Sequence, residues 1–239
     1  MAKLFPFHAT NPNAKIRLLT LPFVGGGANV FKSWGARLPP WIELAAFELP
    51  GRGTRFGETV PSSMSALVSH IDQALNELPP LPLAIFGHSM GGRIGFQLAK
   101  RRNIVHFFAS GSKPPQIEVT DIRSTLPRSA FRARLRDMGG TPQEILADEE
   151  MMEMVEPLLR ADFALFESKN DAAPIGASVT AFGGNRDTEV RLEDAARWRE
   201  CTLGEFRLVE IDAEHFFIND EKHRSAVLEV VAEALVPYS

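Results

Sequence analysis

Apolar residues along this chain fall into two alternating patterns. Short, almost unbroken apolar runs occur at 16–21, 44–49, 83–86, 105–110, 178–182 and 206–211. Their length and lack of polar interruption predict strands covered on both faces by other elements. Between them, 62–78, 90–100 and 222–235 carry apolar residues at helical spacing, with charged residues on the remaining positions. That spacing predicts helices with one face on a sheet. Alternating strands and helices imply an α/β fold with a mostly parallel central sheet flanked by helices.

One stretch breaks the rhythm. From about residue 113 to 170 there is no strand pattern, only helix-like material. Its first part is basic, with Arg123, Arg128, Arg132, Arg134 and Arg136; its second part is acidic, with Asp148, Glu149, Glu150, Glu153 and Glu156. Because it falls between two predicted strands, 113–170 is expected to be a helical lid inserted in a single domain spanning 1–239. Arg128, Arg132 and Arg136 recur every four residues, so they are expected to share one helix face that either meets an acidic partner or is balanced by the acidic second part of the segment.

The chemistry concentrates at Gly87-His88-Ser89-Met90-Gly91. This G-x-S-x-G string follows a predicted strand and opens a predicted helix, the context in which a sharp turn exposes a nucleophilic serine. A serine hydroxyl needs a base to accept its proton and donors to hold the oxyanion that forms. On such a sheet the acid and then the histidine follow the serine, on loops after later strands. His215 lies in Asp212-Ala213-Glu214-His215-Phe216-Phe217, directly after the last predicted strand, and is the expected base in preference to His223. Gly183-Gly184-Asn185-Arg186-Asp187 presents Asp187 after the preceding strand; Asp171 precedes that strand and Asp194 falls within the next helix. One oxyanion donor should be the Met90 N–H. The second should come from the glycine-rich Leu21-Pro22-Phe23-Val24-Gly25-Gly26-Gly27 loop, with Val24 expected and Phe23 the alternative, and with a helix opening after the glycines. Phe23 and Phe216, beside these groups, are the expected substrate contacts.

Composition narrows the classes. The chain has 239 residues, 44% hydrophobic and 23% charged, with a formal net charge of -4. That size accommodates one sizeable core, and the acidic balance disfavours a nucleic-acid binder. A lone cysteine, Cys201, rules out an internal disulfide framework and is read as a passive thiol. No apolar run approaches the length of a membrane span, and Met1 to Pro6 lack a signal-peptide core. A cytoplasmic monomer is expected, without cofactor or metal.

Several blocks together resemble the type II thioesterases that accompany nonribosomal peptide and polyketide synthases. They are the 21–27 loop, Leu49-Pro50-Gly51-Arg52-Gly53-x-Arg55, the Ser89 elbow, Met138-Gly139-Gly140-Thr141-Pro142, Leu159-Arg160-Ala161-Asp162-Phe163, Gly183-Gly184-x-x-Asp187 and His215-Phe216-Phe217. The resemblance implies hydrolysis of acyl groups from the phosphopantetheine arm of acyl or peptidyl carrier protein domains, with Ser89, Asp187 and His215 as the triad. A medium-chain acyl-carrier thioesterase or a small-molecule carboxylesterase of the same fold is the alternative; a non-catalytic interaction protein is the remaining one. Two positions depart from the family pattern: Glu214 replaces a glycine and Val24 an alanine. Glu214 beside His215 is expected to affect the loop or the imidazole.

Overall fold

The computed structural model describes residues 3–239, so Met1 and Ala2 of the N-terminal stretch lie outside the described residues. Six strands form one sheet: β1 (Ile16–Leu21), β2 (Ile42–Ala46), β3 (Leu83–His88), β4 (His106–Ser110), β5 (Ser178–Gly184) and β6 (Phe206–Ile211). Their order is β2-β1-β3-β4-β5-β6, and every neighbouring pair is parallel. Parallel strands need crossovers, and here these include α1 (Met64–Leu75), α2 (Met90–Ala99) and α6 (Leu192–Ala196), with α7 (Glu221–Leu235) following β6. All strand C-termini therefore emerge along one edge, where the pairing ends at Leu21 with Gly87, His88 with Ser110, and Gly184 with Ile211.

Two cores sit on opposite faces of the sheet, and successive strand residues divide between them. Leu19, Ile85 and Phe107 pack with Val68, Ile71, Ile94 and Trp198 on one face. Leu18, Phe86 and Phe108 pack with Trp34, Val227 and Val231 on the other. Side chains alternate across a strand, so a strand covered twice must be apolar at every position. That is why the unbroken runs marked the inner strands.

Where the pattern misled, polar partners explain it. Strand β2 begins two residues earlier than its apolar run, because the Glu43 carboxylate is buried against Arg17, whose Nε donates to Glu43 Oε1 at 2.7 Å. The same strand stops at Ala46, and the Glu48 N–H donates to the carbonyl of Leu4 instead. β6 is an edge strand and is largely exposed along its length, unlike the inner strands. The triple glycine opens a single 3-10 turn, Ala28–Phe31, and not a helix.

Between β4 and β5 lie three helices, α3 (Arg128–Met138), α4 (Gln143–Ala147) and α5 (Glu149–Glu167), with no strand. They enclose a small core of their own around Phe131, Leu135, Met152, Leu159 and Phe163. Of the two readings of the basic face, the balanced one holds at two of its three arginines. Arg128 and Arg132 reach Glu149 at 2.6 and 2.5 Å, and Arg132 also reaches Glu156 at 3.2 Å. The basic and acidic halves of the segment thus neutralise each other across α3 and α5. No helix among the described residues is long and apolar enough to cross a membrane.

His106 ties the sheet to solution pH. Its ring stacks on Phe108 at 4.3 Å, Nε2 lies 2.9 Å from Thr180 Oγ1, and burial pushes its pKa down to about 4. A base held neutral in the folded state contributes stability above its unfolded pKa of ~6.5, and that stability is lost as pH falls from there toward 4. Urea denaturation between pH 7 and 4.5 should show a stability loss of up to about 1.4 kcal/mol per pH unit from this group. Replacing His106→Gln should flatten the slope by that amount; an unchanged slope would remove His106 from the account.

Candidate active site

The turn from β3 into α2 takes a single residue. Ser89 adopts φ 54° and ψ -115°, and among the described residues it is the only non-glycine at positive φ. Such a conformation costs about 1–3 kcal/mol and persists only where its surroundings enforce it. Here they do. The Ser89 N–H donates to Ser110 O at 2.8 Å, and the Gly92 N–H donates to Ser89 O at 3.0 Å. The flanking glycines are there because backbones touch. A Cβ at Gly87 would lie 2.1 Å from Gly91 O, and one at Gly91 would lie 2.1 Å from Leu21 O. The second contact presses the start of α2 against the end of β1, which brings the 22–27 loop beside Ser89.

His215 and Asp187 reach Ser89 from the loops after β6 and β5. Those loops are held together: Asn185 N–H donates to Ile211 O at 2.9 Å and Arg186 N–H to Ala213 O at 3.0 Å. His215 Nε2 lies 3.0 Å from Ser89 Oγ, and His215 Nδ1 lies 2.7 Å from Asp187 Oδ2. An ionised carboxylate can only accept, so Nδ1 carries the proton and Nε2 is left to accept from the serine hydroxyl. The other Asp187 oxygen accepts from the N–H groups of Glu189 at 2.7 Å and Val190 at 2.9 Å, which fixes the carboxylate in its plane. Both His215 and Asp187 are buried, whereas Ser89 remains partly open.

His88 stands behind this row. Its ring centroid is 5.4 Å from that of His215, and its Nδ1 lies 2.9 Å from Ser110 Oγ. Complete burial, and then the neighbouring charge of His215, hold its pKa well below the ordinary histidine range. A neutral ring there supports His215 without repelling a proton on it.

The N–H groups of Phe23, Val24 and Met90 take no hydrogen-bond partner among the described residues. Phe23, Val24, Gly25 and Gly26 form a tight turn closed by Gly26 N–H donating to Phe23 O at 2.9 Å, with Gly25 at φ 77°. The loop is fixed at its far end by Glu48, whose buried Oε1 accepts from Ala28 N–H at 2.9 Å. Burial pushes the Glu48 carboxyl above its ordinary pKa.

Ser89, His215, Val24 and Phe23 open on a cavity roofed by Leu135, Met138, Leu159, Phe163 and Phe166 of the helical segment. Phe216 packs edge-on against Phe23 at 4.9 Å and against His215 at 4.9 Å. Gly140 is the reason it fits, since a Cβ there would lie 2.3 Å from the Phe216 ring. Two sets of charges tie the roof down. Arg123 and Arg134 reach Glu189, two residues after Asp187, at 2.6 and 2.7 Å. Although burial opposes it, these arginines hold the Glu189 carboxyl below its ordinary pKa. On the opposite side, Asp162 of α5 accepts from Gly25 N–H at 2.8 Å and pairs with Arg52 through both oxygens.

The competing residues lie elsewhere. Asp171 pairs with Lys100, Asp194 with Lys113 at 3.6 Å, and His223 with Asp220 at 2.9 Å. Cys201 is buried, donates to Gln116 Oε1 at 2.9 Å, and burial pushes its thiol up to about 11. Glu214 is exposed and takes no ion pair among the described residues, while Val24 lines the cavity. Arg52, Asp162, Arg123, Glu189 and the buried His88 pack around this candidate site, although reading the sequence assigned none of them a role there. Arg52 and Asp162 stood inside distinctive blocks, yet nothing local signalled that they meet across 110 residues.

The close backbone contact gives a stability test. Gly91→Ala should cost about 3 kcal/mol through overpacking, lowering Tm by roughly 6–12 °C for a chain of this size. Gly176→Ala, where a Cβ meets nothing within 4 Å, should leave Tm nearly unchanged. Thermal unfolding of the two variants makes the comparison.

Comparison with known proteins fits this geometry. The thioesterase domain family matches residues 16–235. The gramicidin S biosynthesis protein GrsT of Aneurinibacillus migulanus is 37% identical over 223 residues, covering 89% of this chain and 87% of that protein. Among solved structures, the RedJ thioesterase from the prodiginine pathway of Streptomyces coelicolor superposes with a TM-score of 0.86 at 30% identity, covering 93% of this chain and 91% of that one. The type II thioesterase BorB from the borrelidin biosynthetic cluster gives 0.84 at 29% identity, covering 96% of each chain.

Proposed function

The chain belongs to the thioesterase family, and on that premise we propose that Ser89, His215 and Asp187 are its catalytic triad. Within the family it is a type II thioesterase of the kind found in nonribosomal peptide and polyketide pathways. Its substrates are acyl or peptidyl groups held as thioesters on the phosphopantetheine arm of carrier proteins. The observation that carries the triad is the unbroken relay from Asp187 through His215 to Ser89, at 2.7 and 3.0 Å, ending in an apolar cavity.

Each group then has one task. Ser89 Oγ attacks the thioester carbonyl while His215 Nε2 takes its proton. The carbonyl oxygen becomes an oxyanion, held by the N–H groups of Val24 and Met90, the latter at the N-terminus of α2. As the tetrahedral intermediate collapses, the carbon–sulfur bond breaks and His215 returns the proton to the departing thiol. Water enters next, His215 accepts its proton, and the ester to Ser89 is cleaved by the same steps in reverse. Throughout, Asp187 keeps Nδ1–H in place and stabilises the imidazolium.

The apolar wall formed by Phe23, Phe216 and the helices of 113–170 receives the acyl group, and that segment serves as the lid. Val24 adds bulk at the wall beside the oxyanion, which makes it a determinant of acyl shape. The lone, buried Cys201 supports a reducing, cytoplasmic location.

Asp187→Asn should lower kcat by about 10⁴-fold by leaving His215 in the wrong tautomer. Ser89→Ala should abolish the covalent acyl-enzyme, followed by mass spectrometry with an acyl-carrier protein as substrate. Wild-type hydrolysis by Ser89→Ala would overturn the mechanism. Faster turnover of p-nitrophenyl esters than of acyl-carrier thioesters would point to a small-molecule esterase instead.

A further inference from the structure

The Arg52–Asp162 pair is a costly arrangement for a surface segment to carry. Asp162 is 1% exposed and Arg52 7%. Their contacts are bidentate, with Nη1 to Oδ2 at 2.6 Å and Nη2 to Oδ1 at 2.7 Å. Two charges withdrawn from water lose hydration that their mutual attraction restores only with good geometry, so such a pair is weak evidence for added stability. Its position suggests another use.

The pair grips one turn from both sides. Asp162 Oδ2 also accepts from the N–H of Gly25, and Arg52 Nη1 also donates to the carbonyl of Gly26 at 3.1 Å. Gly25 stands at the third position of a turn closed by Gly26 N–H to Phe23 O, and its φ of 77° is what a type II turn demands there. A type I turn would rotate the peptide between Val24 and Gly25 and take the Gly25 N–H away from its acceptor. Asp162 therefore selects one turn conformer. The neighbouring N–H, that of Val24, faces no partner and is the proposed oxyanion donor.

We propose that Asp162, seated by Arg52, is a positioning residue that holds the Val24 turn in the conformation competent to bind the oxyanion. Because Asp162 belongs to α5, the oxyanion site is complete only while α5 is seated on the 22–27 loop. Leu159 reinforces the seat, since a Cβ at Gly25 would lie 2.6 Å from its Cδ2. Displacing α5 removes the acceptor from Gly25 and frees the turn, which couples occupancy of the lid to reactivity. This inference rests on the proposed Ser89 mechanism with Val24 as donor.

Two variants separate positioning from mere stability. Arg52→Met with Asp162→Leu replaces the ion pair by apolar groups, a change that buried pairs often tolerate, and removes the acceptor for Gly25. It should fold with a Tm near wild type. Its kcat on an acyl-carrier thioester should fall about 10²-fold, the loss typical of a missing oxyanion donor, with KM changed less than about threefold. Affinity for a trifluoromethyl ketone, which forms a tetrahedral adduct on Ser89, should fall by the same factor. Asp162→Asn keeps an amide oxygen for Gly25 and should retain kcat and inhibitor affinity within about tenfold even where Tm drops. A folded double variant with wild-type kcat and inhibitor affinity overturns the proposal. If the double variant fails to fold, Asp162→Asn decides: retained inhibitor affinity supports the acceptor role, and a hundredfold loss overturns it. Ser89→Ala, assayed alongside, reports separately on the nucleophile, since it leaves the contacts of Arg52 and Asp162 to the turn in place.

Discussion

The contact between Gly91 and the carbonyl of Leu21 sets the geometry of everything around Ser89. A helix that begins this close to the end of the neighbouring strand leaves no room for a side chain at 91 or 87. It also allows the chain to pass from β3 to α2 through one residue at positive φ. The turn at Ser89 leaves it partly open to the cavity, directly before the start of α2. The closeness of β1 brings the 22–27 loop, with Val24, to the other side of that space. Strand order supplies the remaining parts. With β4, β5 and β6 on the far side of β3, the loops after β5 and β6 converge from the side opposite the 22–27 loop.

Charge does a second kind of work, holding the helical segment between β4 and β5 to the loops beneath it. One tie runs from Arg123 and Arg134 to Glu189, whose own N–H fixes Asp187. The other runs from Asp162 to Gly25 and Arg52. Breaking a buried pair by removing one partner typically costs 3–5 kcal/mol, roughly, because a charge is left without compensation. The α3–α5 pairs to Glu149 and Glu153 differ: those carboxylates are exposed, and exposed pairs contribute about 1 kcal/mol or less each. The Arg52–Asp162 and Arg123–Glu189 ties are the buried pairs that end on the loops beside Ser89.

What could be read from the chain follows from how local each signal is. The inner strands were legible because burial on both faces demands an unbroken apolar run. β2 began earlier than expected because Glu43 hides its charge on Arg17, a partner 26 residues away. The serine, acid and histidine were selected by their places just after strand ends, and the fold brings those three side chains into one hydrogen-bonded row. Whether the basic face of α3 was open or balanced could not be read locally, because its acidic partners lie a full helix later. Arg52 and Asp162 carried no periodicity that would pair them. Motif blocks marked them as unusual without saying what they touch.

The two buried ties end on opposite sides of Ser89, and that placement has a mechanical consequence. Glu189 is continuous with the loop that orients His215 through Asp187, and Gly25 is continuous with the turn that presents Val24. The helical segment is therefore in contact with the backbone supporting the proposed base and with the backbone supporting the proposed oxyanion donor. A rigid lid held at one point could swing open and leave the catalytic groups in place. A lid held at both cannot leave without releasing the restraints on each. Under the proposed mechanism hydrolysis requires a seated roof, which would exclude bulk water from the oxyanion and strengthen the hydrogen bonds made to it in a low-dielectric space. For an enzyme whose acyl groups arrive on a carrier-borne arm, the linkage we propose would restrict reaction to chains that fit beneath the closed roof, so that the shape of the cavity would act on the rate of the chemistry as well as on binding.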